Sequence, residues 1–185
     1  MANQFKVALL VATTRTGSIN ERLARAIERT APKTLVFKRL RMDEMPFYNG
    51  DLEENRPDSV KAFVESIETS DAVCIVTPEY NRSIPAVLKN AIDWGSKPIG
   101  RNIWRDKVVA MSGASPGGVG TAVGQQHLRQ ILAILHAIVL PGETYISFKT
   151  PDMIDAGGNI SDDNVNEFLT VFGARFARLI ERMNS

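Results

Sequence analysis

The strongest constraint on this chain is a set of short runs that are apolar at almost every position: Phe5 to Ala12, Ala72 to Val76 and Val108 to Met111. A strand with one wet face alternates apolar with polar residues, whereas an unbroken apolar run fits a strand buried on both faces. A weaker run spans Thr34 to Leu40. Between the runs the period becomes helical. Val60, Phe63, Val64 and Ile67 form one stripe, Val87, Leu88, Ala91 and Ile92 a second, and Leu128, Ile131, Leu132 and Leu135 a third. A last helix is written by Val165, Phe168, Leu169, Phe172, Phe176, Leu179, Ile180 and Met183, with Ser161 as its expected N-cap and Asp162 and Asp163 at its positive end.

Strands alternating with helices along the whole chain imply right-handed crossovers and a parallel sheet covered on both faces. The expectation is an α/β fold of three layers, with a five-stranded parallel sheet in the flavodoxin-like order 2-1-3-4-5 and helices on both faces. Such sheets bind ligands beyond the carboxyl ends of their strands, where the strand order reverses. That rule singles out the loops after Ala12, Val76 and Met111. The 185 residues are 44% hydrophobic and 23% charged, with no linker rich in Gly, Ser and Pro, which fits a single domain over residues 1–185.

Charge and cysteine usage narrow the partners. Lys and Arg number 22 against 21 Asp and Glu, and 22 − 21 leaves a net charge of +1, too little to draw the chain to nucleic acid or an anionic membrane. No stretch approaches the roughly 20 apolar residues of a membrane span. The lone Cys74 has no partner for an internal disulfide, and Val7 to Ala12 is too short for the apolar core of a signal peptide. A cytoplasmic location is the expectation.

The first loop reads Thr13-Thr14-Arg15-Thr16-Gly17-Ser18-Ile19-Asn20 and leads into a helix. Hydroxyls, a guanidinium and a glycine thus meet the unpaired N–H groups of a helix N-terminus, a setting suited to a phosphate. The alternative is a helix cap, made by Ser18 or Asn20, beside a solvated Arg15. Neither a G-x-x-x-x-G-K-[ST] loop nor a G-x-G-x-x-G fingerprint is present, so nucleoside triphosphates and an ordinary Rossmann dinucleotide have no anchor.

The second loop runs Thr77-Pro78-Glu79-Tyr80-Asn81-Arg82-Ser83-Ile84-Pro85, with Pro85 placed to open the next helix. Read by themselves, Glu79 is a solvated loop acid, Tyr80 a cover for the sheet's end and Asn81 a cap for that helix. Taken together with Thr13 to Asn20 and with Leu88-Lys89-Asn90-Ala91-Ile92-Asp93-Trp94, however, the loop resembles the NAD(P)H-dependent FMN reductase family, including its quinone- and chromate-reducing branch. The matching segments lie in register from the first strand to about residue 140.

The resemblance implies bound FMN, NAD(P)H as electron donor and a quinone, free flavin or similar small acceptor. It implies an FMN phosphate held by Thr13, Arg15, Ser18, the backbone of Ile19, and Asn20. Pro78, Glu79, Tyr80 and Asn81 would border the ring, chiefly through backbone groups and the Asn side chain, with a third contact from Ser115. No protein side chain need be catalytic, because the flavin carries the chemistry. Ala12 stands where the family often has Gly, Thr13 where it often has Ser, and Val123 and Gln126 depart from the chromate-reducing branch. In the family, a loop like Met45-Pro46-Phe47-Tyr48-Asn49 approaches the neighbouring subunit's site, which implies a homodimer or homotetramer. A local cover over the second strand is the alternative.

Other features point elsewhere than to chemistry. His127 and His136 lack partners at metal-ligand spacing, so no metal is expected. Cys74 inside a strand reads as a small hydrophobe, Trp94 as packing, Arg82 as a surface arginine, and Gly118, Gly120 and Gly124 as places of close backbone approach. Two rival functions remain: a flavodoxin-like electron carrier, disfavoured because such carriers are strongly acidic, and a domain of this fold that binds no flavin.

Overall fold

In a computed structural model, residues 4–184 are described. Strands β1 (Phe5–Val11), β2 (Leu35–Leu40), β3 (Ala72–Val76) and β4 (Val108–Ser115) alternate with helices α1 (Ile19–Thr30), α2 (Asp58–Glu68), α3 (Ala86–Gly95) and α4 (Ala122–Ile134). Two short strands, β5 (Ile138–Val139) and β6 (Tyr145–Ser147), precede the long α5 (Asp163–Met183). The sheet runs β2-β1-β3-β4-β5 with every neighbour parallel, the flavodoxin-like order expected from the sequence.

The apolar runs are apolar because each strand feeds two cores. From β1, Phe5, Val7 and Leu9 face a core shared with Leu23 and Ile27 of α1 and Leu169, Phe172 and Phe176 of α5. Ala8 and Leu10 face the other side, with Phe63 of α2, Leu88 and Trp94 of α3, and Leu128 and Leu132 of α4. Cys74 and Ile75 of β3, and Ala110 and Met111 of β4, divide in the same way. Alternation is invisible in the sequence because both faces are dry.

Three details differ from the sequence reading. β4 continues to Ser115, so its loop begins four residues beyond Met111. The fifth sheet position is divided: β5 pairs with Val108 and Val109, and β6 pairs with Gly113 to Ser115, with Pro141 to Thr144 looping between them. Finally, α5 is capped by Asp162, whose carboxylate accepts from the N–H groups of Asn164 and Val165, at 2.9 and 3.2 Å. Ser161 instead donates its hydroxyl to the carbonyl of Asp152, at 3.1 Å. Adjacent Ser and Asp are both good caps, and the carboxylate also gains from the helix dipole.

Candidate functional site

The carboxyl ends of β1, β3 and β4 stop at one level. Val11 pairs with Val76 and Val76 with Ser112. The Ala12 N–H donates to the carbonyl of Val76 at 2.8 Å, and the Thr77 N–H to that of Ser112 at 2.9 Å. From this edge the first loop turns over one face of the sheet into α1 and the second over the other face into α3, so the two leave the sheet side by side at the switch point.

The first loop leaves several backbone donors open at the start of α1. Ser18 caps α1, its hydroxyl accepting from the Asn20 N–H at 3.2 Å. Gly17 adopts φ +70°, a left-handed conformation that few residues with a side chain tolerate. The backbone N–H groups of Thr14, Thr16, Gly17, Ser18 and Ile19 make no hydrogen bond among the described residues. Such a cluster at a helix start favours an anion through both its donors and the helix dipole.

Beside this loop lies a crevice of about 400 Å³, walled by Thr13 to Gly17, by Arg39 to Asp43 at the end of β2 and just beyond it, and by Val87 of α3. Three cations line it, and their partners differ. Arg39 is held by Glu28 and Glu21 of α1, at 2.7 and 2.6 Å. These bonds, led by the one to Glu28, raise its pKa against the opposing effect of burial. Arg41 pairs with Asp43 and Glu44, both at 2.9 Å. The side chain of Arg15 makes no ion pair or hydrogen bond among the described residues, which leaves it the cation free for an anionic group.

Asn20 plays a second part. It is buried, its amide donates to the carbonyl of Ala114 at 3.0 Å and its oxygen accepts from the Ala114 N–H at 2.8 Å. This side chain therefore braces α1 against the end of β4.

On the second loop, Pro78 is buried against the sheet edge. Tyr80 and Ser83 exchange two backbone hydrogen bonds of 2.9 Å across Asn81 and Arg82, whose φ values are +50° and +64°. Both central residues are thus left-handed, as in a type I′ turn. The reading of Asn81 as a helix cap gives way to this turn. α3 begins at Ala86 with Pro85 in the cap position and no side-chain cap bond. Tyr80 is 51% exposed. Glu79 is no solvated acid: its side chain is only 9% exposed and accepts from the Gly124 N–H of α4 at 2.8 Å. Ser115 ends β4, where its hydroxyl accepts from the Gly117 N–H at 3.2 Å. Pro78, Glu79, Tyr80, Asn81 and Ser115 do not line the crevice beside Arg15.

Two residues of this edge escaped the sequence reading. Gly113 has to be glycine, since a Cβ there would stand 2.1 Å from the Thr77 carbonyl and 2.4 Å from the Thr121 hydroxyl. Ser112 carries a fully buried hydroxyl with no partner among the described residues. Sequence gave no signal for either, because both depend on chain brought in from elsewhere.

The motif Leu88 to Trp94 is explained by the Met45 to Asn49 segment. Asn90 and Trp94 both donate to the carbonyl of Pro46, at 3.0 and 2.8 Å, and the Tyr48 N–H donates to Asn90 at 2.7 Å. Trp94 is fully buried and meets Tyr48 edge-on at 5.1 Å. The segment is pinned to its own α3, with Phe47 left 80% exposed.

A flavodoxin-like sheet with unpaired donors at its switch point defines the class of protein: a doubly wound α/β protein with a place for an anionic ligand at the carboxyl edge of its sheet. The chain belongs to the NADPH-dependent FMN reductase family, whose pattern matches residues 5–151. It is 39% identical over 173 residues to a 2-hydroxy-1,4-benzoquinone reductase from a Burkholderia species, covering 93% of this chain and 94% of that protein. It is 35% identical over 187 residues to the quinone reductase of Escherichia coli K12, covering 99% of each. Among solved structures, the NAD(P)H:(acceptor) oxidoreductase FerB of Paracoccus denitrificans superimposes with a TM-score of 0.92 at 37% identity, over 97% of this chain and 98% of that one.

The family implies FMN, and the residues present fit it. The unpaired N–H groups of Thr14 and of Thr16 to Ile19, with the unpartnered Arg15 side chain, suit a phosphate. Among the described residues no helix is long and apolar enough to cross a membrane.

Proposed function

We propose that the chain, acting as one FMN-binding domain, is an NAD(P)H:quinone oxidoreductase that holds FMN along the carboxyl edge of its sheet. The single observation that carries this is the cluster of unpaired N–H groups beside a free Arg15, one strand away from the buried Pro78. Thr13, Arg15, Ser18 and the backbone of Ile19 hold the phosphate, with Asn20 bracing the loop from below. Pro78, Glu79, Tyr80, Asn81 and Ser115 border the ring. Bound FMN supplies two-electron chemistry between a nicotinamide and a quinone.

The protein's task is then to bind, orient and leave access. Arg15 contributes about 1.5–3 kcal/mol through a charge-assisted hydrogen bond, and the start of α1 about 0.3–2 kcal/mol more. The 51% exposure of Tyr80 supports an open face on which donor and acceptor bind in turn. The quinone reductases among the relatives support a quinone as acceptor. We further infer a homodimer or homotetramer in which the exposed Phe47, held in place by Asn90 and Trp94, is covered by a neighbouring subunit. A cytoplasmic location fits the need for reduced nicotinamide.

Steady-state kinetics with NADH or NADPH and 1,4-benzoquinone test the reading. Parallel double-reciprocal lines, as for two substrates using one site in turn, are expected. Intersecting lines would oppose the shared open face, and absence of turnover with FMN bound would oppose the assignment.

A further inference from the structure

The turn at Tyr80 to Ser83 is fastened to α4, the helix that follows β4, at two points, one of them the Glu79 carboxylate. α4 lacks a cap of its own. Thr121 occupies the cap position, but its hydroxyl accepts from the Gln125 amide at 2.9 Å and gives the helix start no bond. Glu79 fills that role from 45 residues away, one oxygen accepting from the Gly124 N–H at 2.8 Å. Its other oxygen meets Arg82 at 3.3 Å, holding the second left-handed residue of the turn. One helical turn further on, the Ser83 hydroxyl meets His127 Nδ1 at 2.8 Å. Gly124 permits the approach, since a Cβ there would lie 3.2 Å from both Glu79 Cγ and the Ser83 carbonyl. An acid at a helix start gains from the dipole as well as from the hydrogen bond.

We propose that Glu79 is a positioning residue: its carboxylate caps α4 and thereby sets where the backbone of Tyr80 and Asn81 stands at the sheet's edge. The proposal rests on the reading of residues 78–81 as the border of the flavin ring. The Glu79 carboxylate acts through the turn, touching α4 and Arg82, while residues 78–81 border the ring with their backbone. A disturbed turn therefore weakens the ring end of the site and leaves the phosphate end at Arg15 intact.

That asymmetry provides the test. FMN and riboflavin share the ring, and only FMN carries the phosphate. Fluorescence titration of the full chain with each flavin, and hydrogen exchange at the Gly124 amide, are measured for the wild type, Glu79→Gln, Glu79→Asp and Glu79→Ala. Glu79→Ala and the shorter Glu79→Asp are expected to lose about tenfold in affinity for both flavins alike, with Gly124 exchange accelerated by about the same factor. Glu79→Gln, whose amide oxygen still accepts, is expected to restore both to within about threefold. Unchanged flavin affinity in Glu79→Asp would overturn the proposal, and so would a Glu79→Gln variant as weak as Glu79→Ala. Should Glu79→Ala fail to fold, the Gln and Asp variants decide. If the wild type binds neither flavin, the FMN reading falls on its own account. The proposal then stands or falls on whether Gly124 exchange depends on Glu79.

Discussion

The side chain of Asn20 and the backbone of Ala114, 94 residues apart, exchange two hydrogen bonds of 2.8 and 3.0 Å in the buried interior. β3 has ended at Val76, opposite Ser112, and the Asn20 amide takes the place a longer strand would have filled. Helix α1, which follows the Thr13 to Ser18 loop, is thereby registered on β4, which carries Gly113 and Ser115. Asn20→Ala strands a buried N–H and a buried C=O, each costing about 1–3 kcal/mol. The expected loss of about 2–6 kcal/mol is read from urea unfolding at neutral pH. A loss below about 0.5 kcal/mol would mean that water replaces the amide.

Gly113 and Gly118 make a matched pair. A Cβ at Gly113 would collide with the Thr77 carbonyl, whereas one at Gly118 meets nothing within 4 Å. Gly113→Ala is expected to cost about 1–3 kcal/mol and to weaken both FMN and riboflavin binding, because Thr77 leads directly into Pro78. Gly118→Ala stays within about 0.5 kcal/mol of the wild type. Thermal unfolding and flavin titration check both variants.

Cys74 lies in the sheet interior, where burial pushes its thiol up to about 12. In the unfolded chain the thiol ionises near about 8.5. The folded state therefore holds a proton that the unfolded state releases, so stability is full below that value and falls as pH rises from there towards 12. The slope from this group reaches at most about 1.4 kcal/mol per pH unit. Cys74→Ala is expected to show a shallower alkaline decline in a urea-unfolding series, and the native thiol to resist iodoacetamide until the protein unfolds. Rapid labelling of the native protein would contradict the burial.

Asn90 holds Pro46 and Tyr48 by two hydrogen bonds of 3.0 and 2.7 Å. Releasing that segment frees Phe47 to move. Asn90→Ala is expected to shift the protein towards smaller assemblies in light scattering, with flavin affinity changed less than about threefold. An assembly state insensitive to Asn90 and to Phe47→Ser would remove Phe47 from any interface.

The parts of this architecture written locally were legible in the sequence. β1 and β3 announced themselves because both their faces are dry, and Ser18 stood as one of two cap candidates, with Asn20, because a cap acts within two residues of itself. The split edge strand was not legible. Segments of two and three residues around Pro141 and Gly142 carry no period. Within the candidate site, the composition of the first loop suited a phosphate and the family resemblance implied a ring at the second, but the work of Glu79 and Asn20 did not show. Their partners, Gly124 and Ala114, stand 45 and 94 residues away. Arg82 at φ +64° was equally hidden, because arginine gives no sign of a left-handed turn.

The central claim is that the Arg15 side chain and the unpaired N–H groups of Thr14 and of Thr16 to Ile19 bind a phosphate. The most direct measurement is the ratio of FMN to riboflavin affinity in the wild type and in Arg15→Ala. FMN is expected to bind at least about a hundredfold more tightly than riboflavin in the wild type, and Arg15→Ala to lower FMN affinity by about 10- to 100-fold with riboflavin unchanged. Equal affinity for the two flavins in the wild type, or an Arg15→Ala variant that retains the full preference for FMN, would contradict the account.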